Sequence, residues 1–174
     1  TDSAHVIISA EPDKFPDYVS GRQSEDIRIN FNQLGEAVLG DKEADRRLQL
    51  YLQRLSEPGI DYVSVKLSSV VSQISLTGYE QTIETIKPRL RSIYQAAISG
   101  GSPTKPKFVN LDMEEYRDLH LTVDVFKSVL DEAEFDKFEA GIVLQAYLPD
   151  SYHVLQDLTR WAQERKQRRH LVRN

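Results

Sequence analysis

Short apolar runs of strand length alternate along the chain with longer stretches whose apolar residues recur every three or four positions. Residues 27–34 (IRINFNQL) follow a polar turn at 20–26 and predict a first strand. Residues 42–55 then carry Ala44, Leu48, Tyr51, Leu52 and Leu55 at helical spacing, with Asp41 placed to cap the start and Pro58-Gly59 to stop the end. A second strand is predicted over 60–67 (IDYVSVKL). The next helix, 78–98, puts Tyr79, Ile83, Ile86, Leu90, Ile93, Tyr94 and Ala97 on one stripe, and its Pro88 predicts a kink or a later start. After a loop at 100–106 (GGSPTKP) come a third strand over 107–112 (KFVNLD), a helix over 122–130 and a fourth strand over 141–147 (GIVLQAY). A last helix, 152–165, is capped by Asp150 or Ser151 and turns Val154, Leu155, Leu158, Trp161 and Ala162 inward. Residues 170–173 look like a fifth strand just starting, and residues 5–10 like a further strand or an N-terminal arm.

Strands separated by helices in this order mean repeated βα units and a parallel sheet. An open doubly wound sheet and part of a (βα)8 barrel both fit. The doubly wound nucleotide folds carry a glycine-rich first turn; here the first strand runs into LGEAVLG, which is neither a dinucleotide fingerprint nor a P-loop. The barrel is therefore the better reading: an α/β fold, a partial (βα)8 barrel of about five parallel strands.

Composition narrows the chemistry. The 174 residues, 40% hydrophobic and 28% charged, suit one domain with a real core, and no apolar run approaches the roughly 18 residues of a spanning helix. The first ten residues lack the pattern of a signal peptide. Zero cysteines exclude a disulfide scaffold, a thiolate nucleophile and cysteine-ligated metal. A net charge of −5 argues against general polyanion binding, so no nucleic-acid partner is expected. Residues 160–174 form a basic run, best read as the solvated C-terminal end of a helix, where cations interact favourably with the macrodipole.

Functional residues of barrels gather at the carboxyl ends of strands. Those ends supply Glu36, Lys66, Asp112, Gln145 and Arg173. Converging at one mouth, they would make a compact cluster of both signs, suited to a zwitterionic or anionic small molecule. Asp112, Glu114, Glu115 and His120 could also be read as metal ligands, but no second histidine sits at ligand spacing, and no metal is expected. Trp161 is expected in the core, and Met113 and Tyr147 flank candidate site residues.

Four stretches, LGEAVLG (34–40), YVSVKLSSV (62–70), KFVNLDMEEYRDL (107–119) and GIVLQAYLPDS (141–151), closely resemble bacterial proline dehydrogenase, above all the proline dehydrogenase domain of the bifunctional proline utilization A flavoenzymes. The resemblance implies a (βα)8 barrel with FAD at the strands' carboxyl ends, oxidation of L-proline to Δ1-pyrroline-5-carboxylate, and electron transfer to a quinone. By position it implies that Lys66 helps bind the proline carboxylate, that Asp112 is the active-site aspartate beside substrate and flavin, and that Gln145 hydrogen-bonds the flavin. It matches Glu36 to a glutamate that pairs with a substrate-clamping arginine, and Arg173 to an arginine that contacts the flavin. It also implies a cytoplasmic protein with peripheral contact at the inner membrane, and a fused or partner pyrroline-5-carboxylate (glutamate-semialdehyde) dehydrogenase. The family's Tyr-x-x-Arg-Arg clamp does not occur in these residues; Arg168-Arg169 lacks the upstream tyrosine. The chain starts without methionine, and a full barrel needs about 200 residues or more. The expectation is thus an N-terminal arm over 1–26 and the first part of the barrel over 27–174, with open edges near Ile29 and Val172. Weak flavin affinity and little turnover are expected of these residues alone, the rival reading being a barrel fragment that folds or associates without catalysis.

Overall fold

A computed structural model describes residues 14–33, 38–72, 74–75, 77–102, 105–113 and 115–171. Helix α1 (Phe15–Ser24) leads into β1 (Phe31–Asn32), α2 (Asp41–Ser56), β2 (Tyr62–Lys66) and the single turn α3 (Leu67–Val70). Then follow α4 (Tyr79–Gly100), β3 (Phe108–Asp112), α5 (Leu119–Leu130), β4 (Ala140–Ile142) and α6 (Pro149–Leu171). The strands form one sheet in the order β1-β2-β3-β4, every pair parallel. Sequence order equals spatial order, so each helix carries the chain from one strand to its neighbour. This is the α/β architecture of a (βα)8-type barrel wall.

Period-two alternation explains why the sheet has two unlike faces. On one face Val63, Val65, Val109 and Leu111 are all at most 2% exposed, and they join Ile86, Leu90, Ile93 and Tyr94 of α4 and Leu119, Val125 and Val129 of α5 in a single core. The other face carries Ser64, Lys66, Asn110 and Asp112. The helices bury the first face because their own stripes are apolar, as in α4, where Ile86, Leu90, Ile93 and Ala97 are fully buried.

Several local expectations change. The polar segment 20–26 is the end of a helix and its turn; α1 escaped the periodicity argument because it buries only Val19. The first strand shortens to two residues, and the fourth to three, since only these form ladder pairs with their one neighbouring strand. Gly40, in extended conformation, stands at the N-cap of α2, and Asp41 is its first helical residue. Helix α4 runs through Pro88, which is exposed, so the carbonyl left without a partner lies on the solvent side. Helix α5 starts at Leu119 and α6 at Pro149, each earlier than expected. The predicted fifth strand is not one where it is described: His170 and Leu171 belong to the last turn of α6, and residues 172–174 lie outside the described residues, as do residues 5–10. The described sheet therefore has four strands rather than about five, with edges at β1 and β4.

The basic run is also partly corrected. Arg165 is only 8% exposed, and its guanidinium donates to the carbonyls of Leu130 (3.1 Å), Phe135 (2.5 Å) and Phe138 (3.2 Å) while stacking on Trp161. It ties α6 to the end of α5, where carbonyls lack helical partners. Trp161 is half-buried against the core, edge-on to Phe126, and donates to Asp131 at 3.0 Å.

Tyr94 sits at the centre of an aromatic cluster, 5.7 Å from Phe135 and 5.0 Å from Phe138, fully buried. Its hydroxyl has no hydrogen-bond partner among the described residues, and burial pushes its ionisation far above the ordinary tyrosine range. Burial also raises Tyr51 and Tyr79. The folded state thus holds these protons longer than the unfolded chain does. Stability is fully present below about pH 10 and is lost as pH climbs through and beyond that value. Tyr94→Phe removes both the unpaired hydroxyl and its share of the alkaline loss. Urea titrations are expected to show it unchanged or up to about 1 kcal/mol more stable at neutral pH, and less sensitive to alkali than the parent. A destabilisation above about 2 kcal/mol would show that the hydroxyl is bonded.

Candidate active site

The polar face of the sheet is ordered by tiers. At the amino end of the strands Tyr62 and Phe108 meet edge to face, ring centroids 5.1 Å apart, and the Arg28 guanidinium lies 5.3 and 5.4 Å from the two centroids. Next come Ser64 and Asn110, register partners that are 1% and 7% exposed. Asn30 Nδ2 donates to Ser64 Oγ at 2.9 Å. Gly141 is Asn110's partner on the other side, and a Cβ there would stand 2.5 Å from Asn110 Oδ1. The carboxyl end of the strands carries Lys66 and Asp112, again register partners and both half-buried. A barrel interior is usually filled by branched apolar side chains; this face is polar from its middle tier upward.

Asp112 is held at both oxygens. Asn32 Nδ2 donates to Oδ2 at 2.9 Å, and Asn110 Nδ2 donates to Oδ1 at 3.1 Å. An ionised carboxylate only accepts, which fixes both amides as donors. Lys66 ends β2 and serves as the N-cap residue of α3, where the chain turns sharply. Ser69 Oγ, from within that turn, donates to the Lys66 carbonyl at 2.7 Å, and Tyr51 Oη lies 3.4 Å from Ser69 Oγ beneath it. Buried groups thus secure the backbone at Lys66 independently of its side chain.

Of the five residues expected at strand ends, the structure pairs Lys66 with Asp112. Gln145 follows two residues after the last bond of the β3–β4 ladder, Val143 N to Leu111 O at 2.9 Å. It is half-buried, and its Nε2 donates to Tyr147 Oη at 2.7 Å. Glu36 and Arg173 lie outside the described residues. Met113 is buried, whereas Tyr147 is 78% exposed. The alternative carboxylate cluster is dispersed. Glu115 pairs with Arg117 at 2.6 Å, and His120 is exposed on α5 beside Asp124, Lys127 and His153; Glu114 is outside the described residues. Burial raises the Asp118 carboxyl above its ordinary range, against the pull of Arg117. The amides Asn32 and Asn110 were missed as site residues, yet each stands on the polar phase of its strand. A hollow of about 830 Å³ lies elsewhere, on the helix side of β4 between Ile142, Leu144, Leu158 and Trp161. Its lining is mainly apolar, with the hydroxyls of Tyr147, Ser151, Tyr152 and Thr159 among it, and it carries no charged side chain.

Comparison with known proteins identifies the pattern. The profile of a family described as proline dehydrogenase matches residues 17–173. The solved structure of proline utilization A (PutA) from Corynebacterium freiburgense is 44% identical, superposes with a TM-score of 0.85, and is matched over 93% of this chain and 16% of its own. PutA from Bdellovibrio bacteriovorus is 32% identical at a TM-score of 0.79, over 89% of this chain and 18% of its own. The bifunctional protein PutA of Escherichia coli K12 is 27% identical over 135 residues, which are 70% of this chain. The chain spans about a tenth of the length of that curated relative.

Proposed function

The chain belongs to the proline dehydrogenase family, with PutA-type relatives, and on that premise we propose that it builds the substrate end of a site oxidising L-proline to Δ1-pyrroline-5-carboxylate with FAD. The observation that carries this reading is the pairing of Lys66 with Asp112 at the carboxyl ends of adjacent strands, opposite charges above a buried polar tier. Proline is a small zwitterion, and this pair offers a cation for its carboxylate and an anion on the facing side.

The residues fit a flavin by their donor chemistry. Gln145 presents a half-buried amide with both donor and acceptor atoms, and Asp112 and its two amides supply a polar wall. When bound, FAD would supply the acceptor for the hydride leaving the carbon next to the proline nitrogen. The chain's own part is positioning. Lys66 anchors the carboxylate as a point charge on a secured backbone. The proline amine must be neutral before hydride leaves, and water can take that proton; Asp112 serves to orient and balance charge rather than as the base. Gln145 would hold the flavin edge, with Arg173 as a second flavin contact and Glu36 as the partner of a clamping arginine. Electrons would pass onward to a quinone, at the inner membrane of a cytoplasmic protein, with the product taken up by a fused or partner glutamate-semialdehyde dehydrogenase.

The test uses the intact gene product that carries this chain. It is expected to purify yellow, with flavin absorbance, and to reduce an artificial dye only when proline is added. A colourless preparation that loads no flavin and ignores proline would overturn the reading.

A further inference from the structure

Three of the chain's four asparagines, Asn30, Asn32 and Asn110, stand in or beside the strands, and all three amides donate into the polar face of the sheet. Two of them converge on one side chain. Asn32 comes from β1, and Asp112 from β3, with β2 between them. Strands two apart lie about 9.5 Å from each other, so a 2.9 Å bond between these side chains must cross the polar face of β2, from the level of Ser64, Asn32's register partner, toward that of Lys66, Asp112's. Asn110 closes the other side from within β3, two residues before Asp112. Gly141 backs Asn110 so closely that no side chain fits between them.

A free aspartate at a strand end turns about two torsions and samples several rotamers. Here Asn32 from β1 holds one oxygen and Asn110 from Asp112's own strand holds the other, so the carboxylate is fixed from both sides. We propose that Asn32 and Asn110 are positioning residues that fix the Asp112 carboxylate on the polar face beside Lys66, and so set the orientation of the bound amino acid toward the reacting centre rather than its affinity. The inference rests on the reading that Asp112 meets the substrate. A group that orients without binding should act on turnover, since a misplacement of about 1 Å at a reacting centre costs on the order of 100-fold.

Two experiments separate the parts of the claim. In the 15N-asparagine-labelled chain, Asp112→Asn is expected to shift the side-chain amide signals of Asn32 and Asn110 together and to leave Asn30, which bonds Ser64, in place. Signals of Asn32 and Asn110 that stay unmoved would overturn the clamp itself. In the flavin-loaded gene product, Asn32→Ala and Asn110→Ala are each expected to lower kcat about tenfold while the proline KM stays within about twofold. Asn32 is exposed, so its variant carries little risk to folding, whereas Asn110 is buried. An unchanged kcat in Asn32→Ala, or a loss confined to KM, would overturn the positioning role while leaving the functional reading intact. A parent protein that binds flavin but never responds to proline would overturn that reading, and the positioning role with it, even with the amide shifts present.

Discussion

Gly100→Ala is expected to cost about 4 kcal/mol or more, lowering the melting temperature by about 8–16 °C or preventing folding altogether. Gly100 is the last residue of α4. A Cβ there would stand 1.9 Å from the carbonyl oxygen of Leu55, 3.0 Å from its carbon and 3.2 Å from Lys107 Cε. The obstacle is backbone in the final turn of α2, and Leu55 is itself fully buried. Relief would require sliding α4 along α2. The surrounding corner resists that movement: Lys107 Nζ donates to the Glu57 carbonyl at 2.5 Å and Lys107 N to the Ala97 carbonyl at 3.0 Å. Burial holds the Lys107 amine below its ordinary range, a sign of how closely the corner is packed. Helix propensity alone would give the opposite sign, since alanine is favoured over glycine inside a helix by about 1 kcal/mol. Thermal or urea unfolding of the variant decides between them, and a melting point within a few degrees of the parent would show that the helices can part.

Lys66→Met is expected to raise the proline KM about 100-fold in the flavin-loaded gene product, with most of kcat recovered at saturating proline. Methionine keeps the length and apolar stem of lysine but removes the ammonium, so the substrate carboxylate loses a charge-assisted partner, an interaction of about 2–3 kcal/mol. The local backbone should survive, because Ser69 Oγ bonds the Lys66 carbonyl and not its side chain. Steady-state dye reduction over a wide proline range measures the split. An unchanged KM would remove Lys66 from the carboxylate site. The opposite signature, a kcat loss at constant KM, is the one assigned to the asparagines, so the two sets of variants test different parts of one arrangement.

Much of the sheet was legible from alternation. YVSVK and FVNLD each place two apolar residues on one phase and an aromatic followed by two polar residues on the other, and both strands formed with the valines and leucine inward to the helices. The same phase carries Asn110 two residues before Asp112, but its burial and its bond to that carboxylate depend on the neighbouring strands. The short strands were less legible. Whether residues 27–34 or 141–147 pair depends on neighbours across the sheet, and only Phe31–Asn32 and Ala140–Ile142 meet them. Helix α1 gave no amphipathic stripe to read, and Arg165 looked like one more cation of a basic run until the end of α5 was seen beneath it.

Local sequence determined the order of βα units, the polarity of each strand's two phases and the motifs shared with the proline dehydrogenase family, because these depend on residues a few positions apart. The tertiary structure alone decided that Lys66 stands in register beside Asp112, that Asn32 reaches across β2 to hold that carboxylate, and that Gly100 lies against a distant carbonyl. Asn32 and Asp112 are 80 residues apart along the chain. Strand register and the crossing of helices bring such positions together, and no local periodicity encodes the distance between them.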